Sequence, residues 1–200
     1  MTTNINFNPN VTTNAPYQFL STTEGWVQGS MWDDPNSIQW LTTGYINSSV
    51  SQPVWAGLPI TETSILTSGT TSNLGSSLVL ATAQTNITAW TVANQAYNML
   101  ITPGNNVQVA LANMTVSYVR PGSNARIVVA VDSAAISALT NVATNTAVYW
   151  DFTNNALNSS GTGALPVKFL GLNSNSKIVS YNSGTGAVTW TTGTAALIQV

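Results

Sequence analysis

The C-terminal stretch 164-ALPVKFLGLNSNSKIVSYNSGTGAVTWTTGTAALIQV-200 decides the fold class. It holds four short runs rich in β-branched, aromatic and aliphatic residues, namely ALPVKFLGL, KIVSY, AVTWTT and ALIQV. The runs are separated by NSNS, NSGTG and GT, and Asn, Gly and Ser in such positions supply turn conformations. The stretch therefore predicts successive antiparallel hairpins, as in a β-sandwich or a small β-barrel.

Three stretches further upstream also have strand patterns. In two of them apolar and polar residues alternate. The alternation places Met114, Val116 and Tyr118 on one face of NMTVSYV. In AVYWDF it places Val148, Trp150 and Phe152 on one face. RIVVAV is a continuous apolar run, which indicates a strand buried on both faces. We predict an all-β domain over residues 26–200, an antiparallel β-sandwich or small β-barrel, with a possible sub-boundary near residues 133–146.

One short helix is predicted near residues 35–43, within DDPNSIQWLTTGY. Asp34 can cap the free N–H groups of the first turn, Pro35 suits the first helical position, and Gly44 suits the residue past the end. Asp33 then acts as a second favourable partner of the helix dipole, an interpretation that we favour over a catalytic carboxylate pair of Asp33 and Asp34. Two other stretches, SAAISALTNV and VANQAYNML, fit a helix by spacing or an irregular strand by composition.

Residues 1–25 are rich in Asn and Thr, lack an amphipathic period and contain Pro9 and Pro16. This pattern predicts an extended N-terminal arm. Polar termini are commonly disordered, but regularly spaced apolar residues favour docking of the arm on a neighbouring molecule. These candidate interface residues are Phe7, Tyr17 and Phe19.

The composition excludes several classes of partner. Charged residues make up 5% of the 200 residues, and the four basic ones are scattered, so they cannot neutralise a run of phosphates; we expect no nucleic-acid partner. No run approaches the roughly 18 apolar residues of a membrane span, so no membrane partner is expected. The small net charge of −2 gives little repulsion between copies, which fits either a surface covered by partners or a neutral surface solvated by Asn, Thr and Ser.

The chain contains no His and no Cys, which removes the commonest general base and the thiolate nucleophile. A glycosidase would need only two carboxylates, and the candidates are Glu24, Glu62, Asp132 and Asp151. Their scatter along the sequence does not predict that any two converge. We therefore expect a protein that is not an enzyme, with no cofactor and no metal site.

Seven tryptophans allow two interpretations, a sugar-stacking platform or the filling of cores and subunit contacts. Their wide spacing and their positions inside alternating strands favour the core. They are Trp26, Trp32, Trp40, Trp55, Trp90, Trp150 and Trp190.

An ordered series of segments resembles the capsid cement, or decoration, proteins of tailed bacteriophages with HK97-like shells. The series is VQGSMWDDPNSIQWLTTGYI, QPVWAGLPITE, ITAWTVANQAYNMLITPGNNVQVA, VSYVRPGSNARIVVAVD, ALPVKFLGL and SKIVSYNSGTGAVTWTTGTAALIQV, and it covers most of residues 26–200. The chain departs from the family pattern at Ala56, where a second glycine is often found.

The resemblance implies a structural virion protein on the outer surface of the capsid. Such a protein binds between subunits of the major capsid protein, as a homotrimer or less often a dimer, and stabilises the shell. A phage fibre or a receptor- or carbohydrate-binding β module would share this composition and is the alternative.

Under the cement interpretation, SQPVWAGLPITET is predicted to be a partly exposed packing segment, with Trp55 as anchor and Pro59 stiffening the chain. It would lie against a capsid subunit or a sister protomer. Arg120 and Arg126, which flank PGSNA, are either interface cations or solvated hairpin residues.

Overall fold

The structure, a computed structural model, describes residues 25–32, 41–63, 75–93 and 107–200. Ten strands are named in this part of the chain. They are β1 (Thr42–Ile46), β2 (Pro59–Thr63), β3 (Ser76–Leu80), β4 (Ala89–Thr91), β5 (Thr115–Val119), β6 (Arg126–Ala130), β7 (Tyr149–Asp151), β8 (Ala156–Asn158), β9 (Lys168–Asn182) and β10 (Ala187–Gln199).

The first five strands form a closed barrel in the order β1-β3-β2-β4-β5. β1 closes the ring, because it pairs in parallel with β3 and antiparallel with β5. Closure leaves the barrel without a free edge, which protects its backbone groups from pairing with other chains. The prediction of an all-β fold with a small barrel is confirmed.

A three-stranded antiparallel sheet of order β6-β10-β9 packs beside the barrel. RIVVAV contributes β6, and the side chains from Ile127 to Val131 are all buried, as the continuous apolar run predicts. One face of the sheet joins the main hydrophobic core through Ile127, Phe169 and Ile198. The other face carries a small apolar cluster of its own.

The C-terminal hairpin is longer than the sequence predicts. Only NSGTG is a turn between strands, whereas NSNS lies inside β9 and GT inside β10. The ladder shifts register between Gly193 and Ala195, so these polar residues form an irregularity rather than a chain reversal. Asn173 accepts a hydrogen bond from the Asn175 N–H within the same strand, which satisfies the backbone there without a turn.

Residues 25–32 form a strap that hydrogen-bonds to both outer strands of this sheet. On β9, the Lys177 N–H donates to the Trp26 carbonyl, and the Lys177 carbonyl accepts from the Gln28 N–H. On β6, the Val128 carbonyl accepts from the Gly29 N–H. The strap therefore occupies backbone groups at both edges of the sheet, which would otherwise be open to edge-to-edge pairing.

Gly29 of the strap lies directly against Ala56. A Cβ atom added to Gly29 would overlap the Cβ of Ala56, and Gly29 has a φ of +81°. The close approach of the two segments is therefore possible because residue 29, rather than residue 56, is the glycine.

A single main core joins the barrel to the rest of the molecule. Trp90 of β4 meets Trp150 of β7 edge-to-face, with ring centroids 5.2 Å apart. This contact crosses the sub-boundary predicted near residues 133–146, so the two sides share buried apolar surface. Strands β7 and β8 form a separate two-stranded sheet.

Helical structure in the described residues is short. A 3₁₀ turn at Ser133–Ala135 leads into α1 (Ile136–Leu139). The first part of SAAISALTNV is therefore helical. The helix predicted near residues 35–43 lies mostly outside the described residues. Its last two residues, Thr42 and Thr43, belong to β1 because they pair with Tyr118 and Ser117 of β5.

Other predictions fall on parts of the chain that the structure does not describe. They are the arm up to residue 24, with Phe7, Tyr17 and Phe19, and most of VANQAYNML. Within the described ranges, no helix has the length and hydrophobicity needed to cross a membrane.

Candidate interaction surface

The segment predicted to anchor a partner through Trp55 is buried in the structure. Trp55 is 1% exposed and its ring lies 5.5 Å from that of Tyr181 on β9. Pro59 is also buried, opposite Trp90 in the barrel. The prediction of a partly exposed contact segment is therefore wrong for both residues.

Thr91 of β4 explains why the segment turns inward. Its hydroxyl donates to the Trp55 carbonyl at 2.8 Å and accepts from the Leu58 N–H at 2.9 Å, while its carbonyl accepts from the Gly57 N–H at 2.8 Å. The polar backbone of residues 55–58 is thus paired inside the fold, which removes the cost of burying it. The apolar ring of Trp55 then fills the core.

Arg120 is held by Glu62 and is not a free interface cation. Its Nε donates to one carboxylate oxygen at 2.7 Å and its Nη2 to the other at 2.6 Å, a two-point pairing. The same carboxylate accepts from the Ser76 hydroxyl at 2.5 Å and from the Tyr118 hydroxyl at 2.6 Å. These four residues, from β2, β3 and the end of β5, form one polar cluster that we call the barrel latch.

The electrostatics of the barrel latch follow from these contacts. Hydrogen bonds from Arg120 outweigh burial and lower the pKa of Glu62 from 4.5 to about 2. The same pairing raises the pKa of Arg120, and burial together with the bond to Glu62 raises the pKa of Tyr118. The carboxylate is therefore ionised and fully engaged across the neutral range, as suits a structural ion pair rather than a general acid.

Two of the candidate carboxylates do converge, although their spacing in the sequence does not predict it. Asp132 and Asp151 each accept a hydrogen bond at 2.9 Å from the side-chain amide of Asn154. Each also serves a local turn, because Asp132 accepts from the Ala134 N–H and Asp151 from the Thr153 N–H.

The hydrogen bonds that Asp151 accepts in its turn also determine the direction in which its pKa is shifted. Burial raises its pKa, but hydrogen bonds from the Asn154 and Thr153 N–H groups outweigh burial, so the net pKa is lowered. Across the described ranges, no three acidic side chains come close enough to hold a metal ion. Glu24 lies outside the described residues.

The tryptophans divide into two groups. Trp55, Trp90 and Trp150 are buried, which confirms the core interpretation for these three. Trp26, Trp32 and Trp190 are half-buried, and Trp40 lies outside the described residues.

Trp26 and Trp32 mark the candidate interaction surface. Their rings contact edge-to-face at 5.6 Å, and both pack on the second apolar cluster. The buried members of that cluster are Val128, Ala195 and Leu197. We call this side of the sheet β6-β10-β9, with the two tryptophans, the outer face.

Three cross-strand rows make up the outer face. Side chains directly opposite each other in an antiparallel sheet point to the same side. The rows are Arg126–Gln199–Lys168, then Val128–Leu197–Gly171, then Ala130–Ala195–Asn173. The charged side chains thus lie at one end of the apolar strip, and Asn173 lies at the other end.

Arg126 is exposed, which fits both interpretations of it, an interface cation or a solvated hairpin residue. The structure brings Arg126 near Lys168. Lys168 begins a strand 42 positions away in the sequence, and only the register of β10 between β6 and β9 relates the two. No local sequence signal could have identified this pair.

Comparisons of the chain with models of protein families, with characterised proteins and with solved structures found no match.

Proposed function

We propose that this chain is a structural protein of a tailed-bacteriophage virion that binds the outer surface of the capsid between major capsid protein subunits and stabilises the shell. The observation that carries the proposal is the outer face, where half-buried Trp26 and Trp32 lie on an apolar cluster. Paired aromatic residues over an apolar base are the kind of surface that anchors protein interfaces. The resemblance in the sequence supplies the identity of the partner.

The small number of charged residues supports a binding contact with another protein over a broad area. Six acidic and four basic residues serve a chain of 200 residues, and one pair, Glu62 and Arg120, is neutralised within the barrel latch. An unpaired charge is costly to bury at an interface. A surface of Asn, Ser and Thr can be covered at a smaller electrostatic cost.

The roles of the carboxylates also favour a binding protein. Glu62 is engaged by three side chains, and Asp132 and Asp151 serve turns and the amide of Asn154. These contacts give each described candidate acid a structural role. The function proposed here requires no catalytic step.

Self-association belongs to the same proposal. We favour a homotrimer over a dimer at the joints between capsomers. Symmetric association repeats each contact, and repeated weak contacts to one lattice raise the overall affinity through effective concentration.

The alternative function, a fibre or carbohydrate-binding module, requires aromatic ring faces open to a sugar. Burial of Trp55, Trp90 and Trp150 removes three of the seven candidate rings. Nothing in the geometry of the described residues favours this alternative over the cement function.

The test is sedimentation of the purified protein with expanded phage shells that lack it. Saturable co-sedimentation, with the protein remaining in the supernatant when shells are omitted, is the expected result. Absence of co-sedimentation at all protein concentrations contradicts the proposal. Binding to a glycan array in that case would support the alternative.

A further inference from the structure

The outer face ends in a row of polar side chains that is unusual for this chain. Arg126 on β6 and Lys168 on β9 both lie directly opposite Gln199 on β10. With neighbouring strands about 4.8 Å apart, the Cα atoms of the two cations are roughly 10 Å apart. Two of the four basic residues of the chain therefore meet in one row.

The two cations are available to a partner. Both are exposed, and no acidic side chain of the described ranges lies within ion-pair distance of either one. Gln199 between them is held by a hydrogen bond at 3.3 Å from its side-chain amide to Asn124. The row therefore presents a fixed amide between two cations without internal compensation.

Open space adjoins this row at Gly171, and we call this space the notch. Gly171, in the next row, lies opposite Leu197, and a Cβ atom added to Gly171 would meet no other atom within 4 Å. Leu197 beside it is 8% exposed. Beyond the register shift between Leu197 and Ile198, the row of cations is thus followed by open space at Gly171, next to apolar side chains of the second cluster.

We infer that this row and the notch at Gly171 form a docking point for an acidic side chain of the shell subunit, with an adjacent apolar side chain of the same segment in the notch. The inference rests on the proposed function, since that supplies the partner. A carboxylate can accept paired hydrogen bonds from the guanidinium of Arg126 and an ionic contact from Lys168.

The size of the row favours a carboxylate over a polymer of phosphates. Two cations in one row can neutralise one or two charges, whereas nucleic-acid binding needs a longer series of basic residues. The apolar side chains of the second cluster next to the notch also suit a protein segment. Charge complementarity of this kind fixes the register of an interface and speeds association.

The experiment compares variants for binding to expanded shells that lack the protein, at low and at high salt. The double variant Arg126→Gln/Lys168→Gln removes the cations, and Gly171→Val fills the notch. The single variant Lys168→Gln is also compared with Lys177→Gln, which removes one positive charge from another position of the same strand and is therefore its matched control. Thermal unfolding of each variant checks whether the fold is retained.

We expect the double variant to bind about tenfold more weakly at low salt, equivalent to about 1.4 kcal/mol, and to lose most of the salt dependence of binding. Gly171→Val should weaken binding with an unchanged Tm, and Lys177→Gln should bind like the wild type. Wild-type affinity in the double variant overturns the inference, as does an equal loss in Lys168→Gln and Lys177→Gln. If the wild type itself does not bind shells, the proposed function fails, and this docking point fails with it.

Discussion

Arg120, which directly follows β5, donates two hydrogen bonds to the carboxylate of Glu62 on β2, although β5 and β2 are not neighbours in the barrel. The Glu62 side chain is 10% exposed and that of Arg120 is 52% exposed. The carboxylate of this ion pair is therefore shielded from solvent, and its guanidinium lies at the surface. Such a contact ties together strands that the hydrogen-bond ladder does not join.

Replacing Glu62 with Gln should destabilise the barrel. The change keeps the shape of the side chain but removes the charge that three donors share, and loss of hydrogen bonds to a charged group costs about 1–3 kcal/mol. For a domain of this size we expect Tm to fall by several degrees in a thermal unfolding experiment.

The control for this variant is Arg126→Gln, which removes a cation that has no acidic partner in the described ranges. Its Tm should stay close to that of the wild type, because exposed substitutions usually change stability by less than about 0.5 kcal/mol. Equal Tm values for Glu62→Gln and the wild type would show that the barrel latch does not stabilise the fold.

The pKa of Glu62 also makes the barrel latch sensitive to acid. Because that pKa is lowered from 4.5 to about 2, folding gains stability from Glu62 that is fully present above pH 4.5. This stability is lost as the pH falls from 4.5 toward 2. Denaturant unfolding of the wild type and of Glu62→Gln should therefore show a difference in unfolding free energy that shrinks over this interval. A difference that is independent of pH would contradict the assigned pKa.

Trp55→Ala should destabilise the whole domain rather than remove a surface contact. Trp55 is 1% exposed, and truncation of a buried Trp typically costs about 3–5 kcal/mol. Urea unfolding measures this cost. Leu111→Ala is the control, since Leu111 is 38% exposed and its truncation leaves no core cavity. A fully stable Trp55→Ala variant would show that the ring is not part of the core.

Gly29→Ala should destabilise the attachment of the strap. Gly29 has a φ of +81°, and an added Cβ would overlap Ala56. Gly122→Ala is a matched control, because Gly122 has a φ of +87° but no neighbour within 4 Å of an added Cβ. The control isolates the backbone cost of about 1 kcal/mol, and the excess loss in Gly29→Ala measures the overlap. Equal losses in urea unfolding would mean that the segments do not approach closely.

Local patterns predicted the strands but not their length. Alternation in NMTVSYV and the apolar run RIVVAV identified β5 and β6, because side-chain period and burial are local properties. The prediction of turns at NSNS and GT is wrong, because Asn, Ser and Gly favour turns but also occur at irregular positions inside strands. Whether such residues reverse a strand or only bend it depends on the partner strand, which the local sequence does not contain.

The candidate site could be predicted only in part. Arg126 was identified as an exposed cation, but Lys168 becomes its neighbour through strand register alone. Similarly, 58 positions separate Arg120 from Glu62, so no spacing rule relates them. The inward position of Trp55 depends on Thr91, whose hydroxyl pairs the backbone of residues 55–58.

The measurement that most directly tests the central claim is the heat survival of expanded shells with and without saturating protein. Stabilisation of the shell predicts that decorated shells remain intact to a higher temperature than bare ones, with a gain that rises as the concentration of free protein is raised through and above its Kd. Bound protein that leaves the disruption temperature of the shells unchanged would contradict the account.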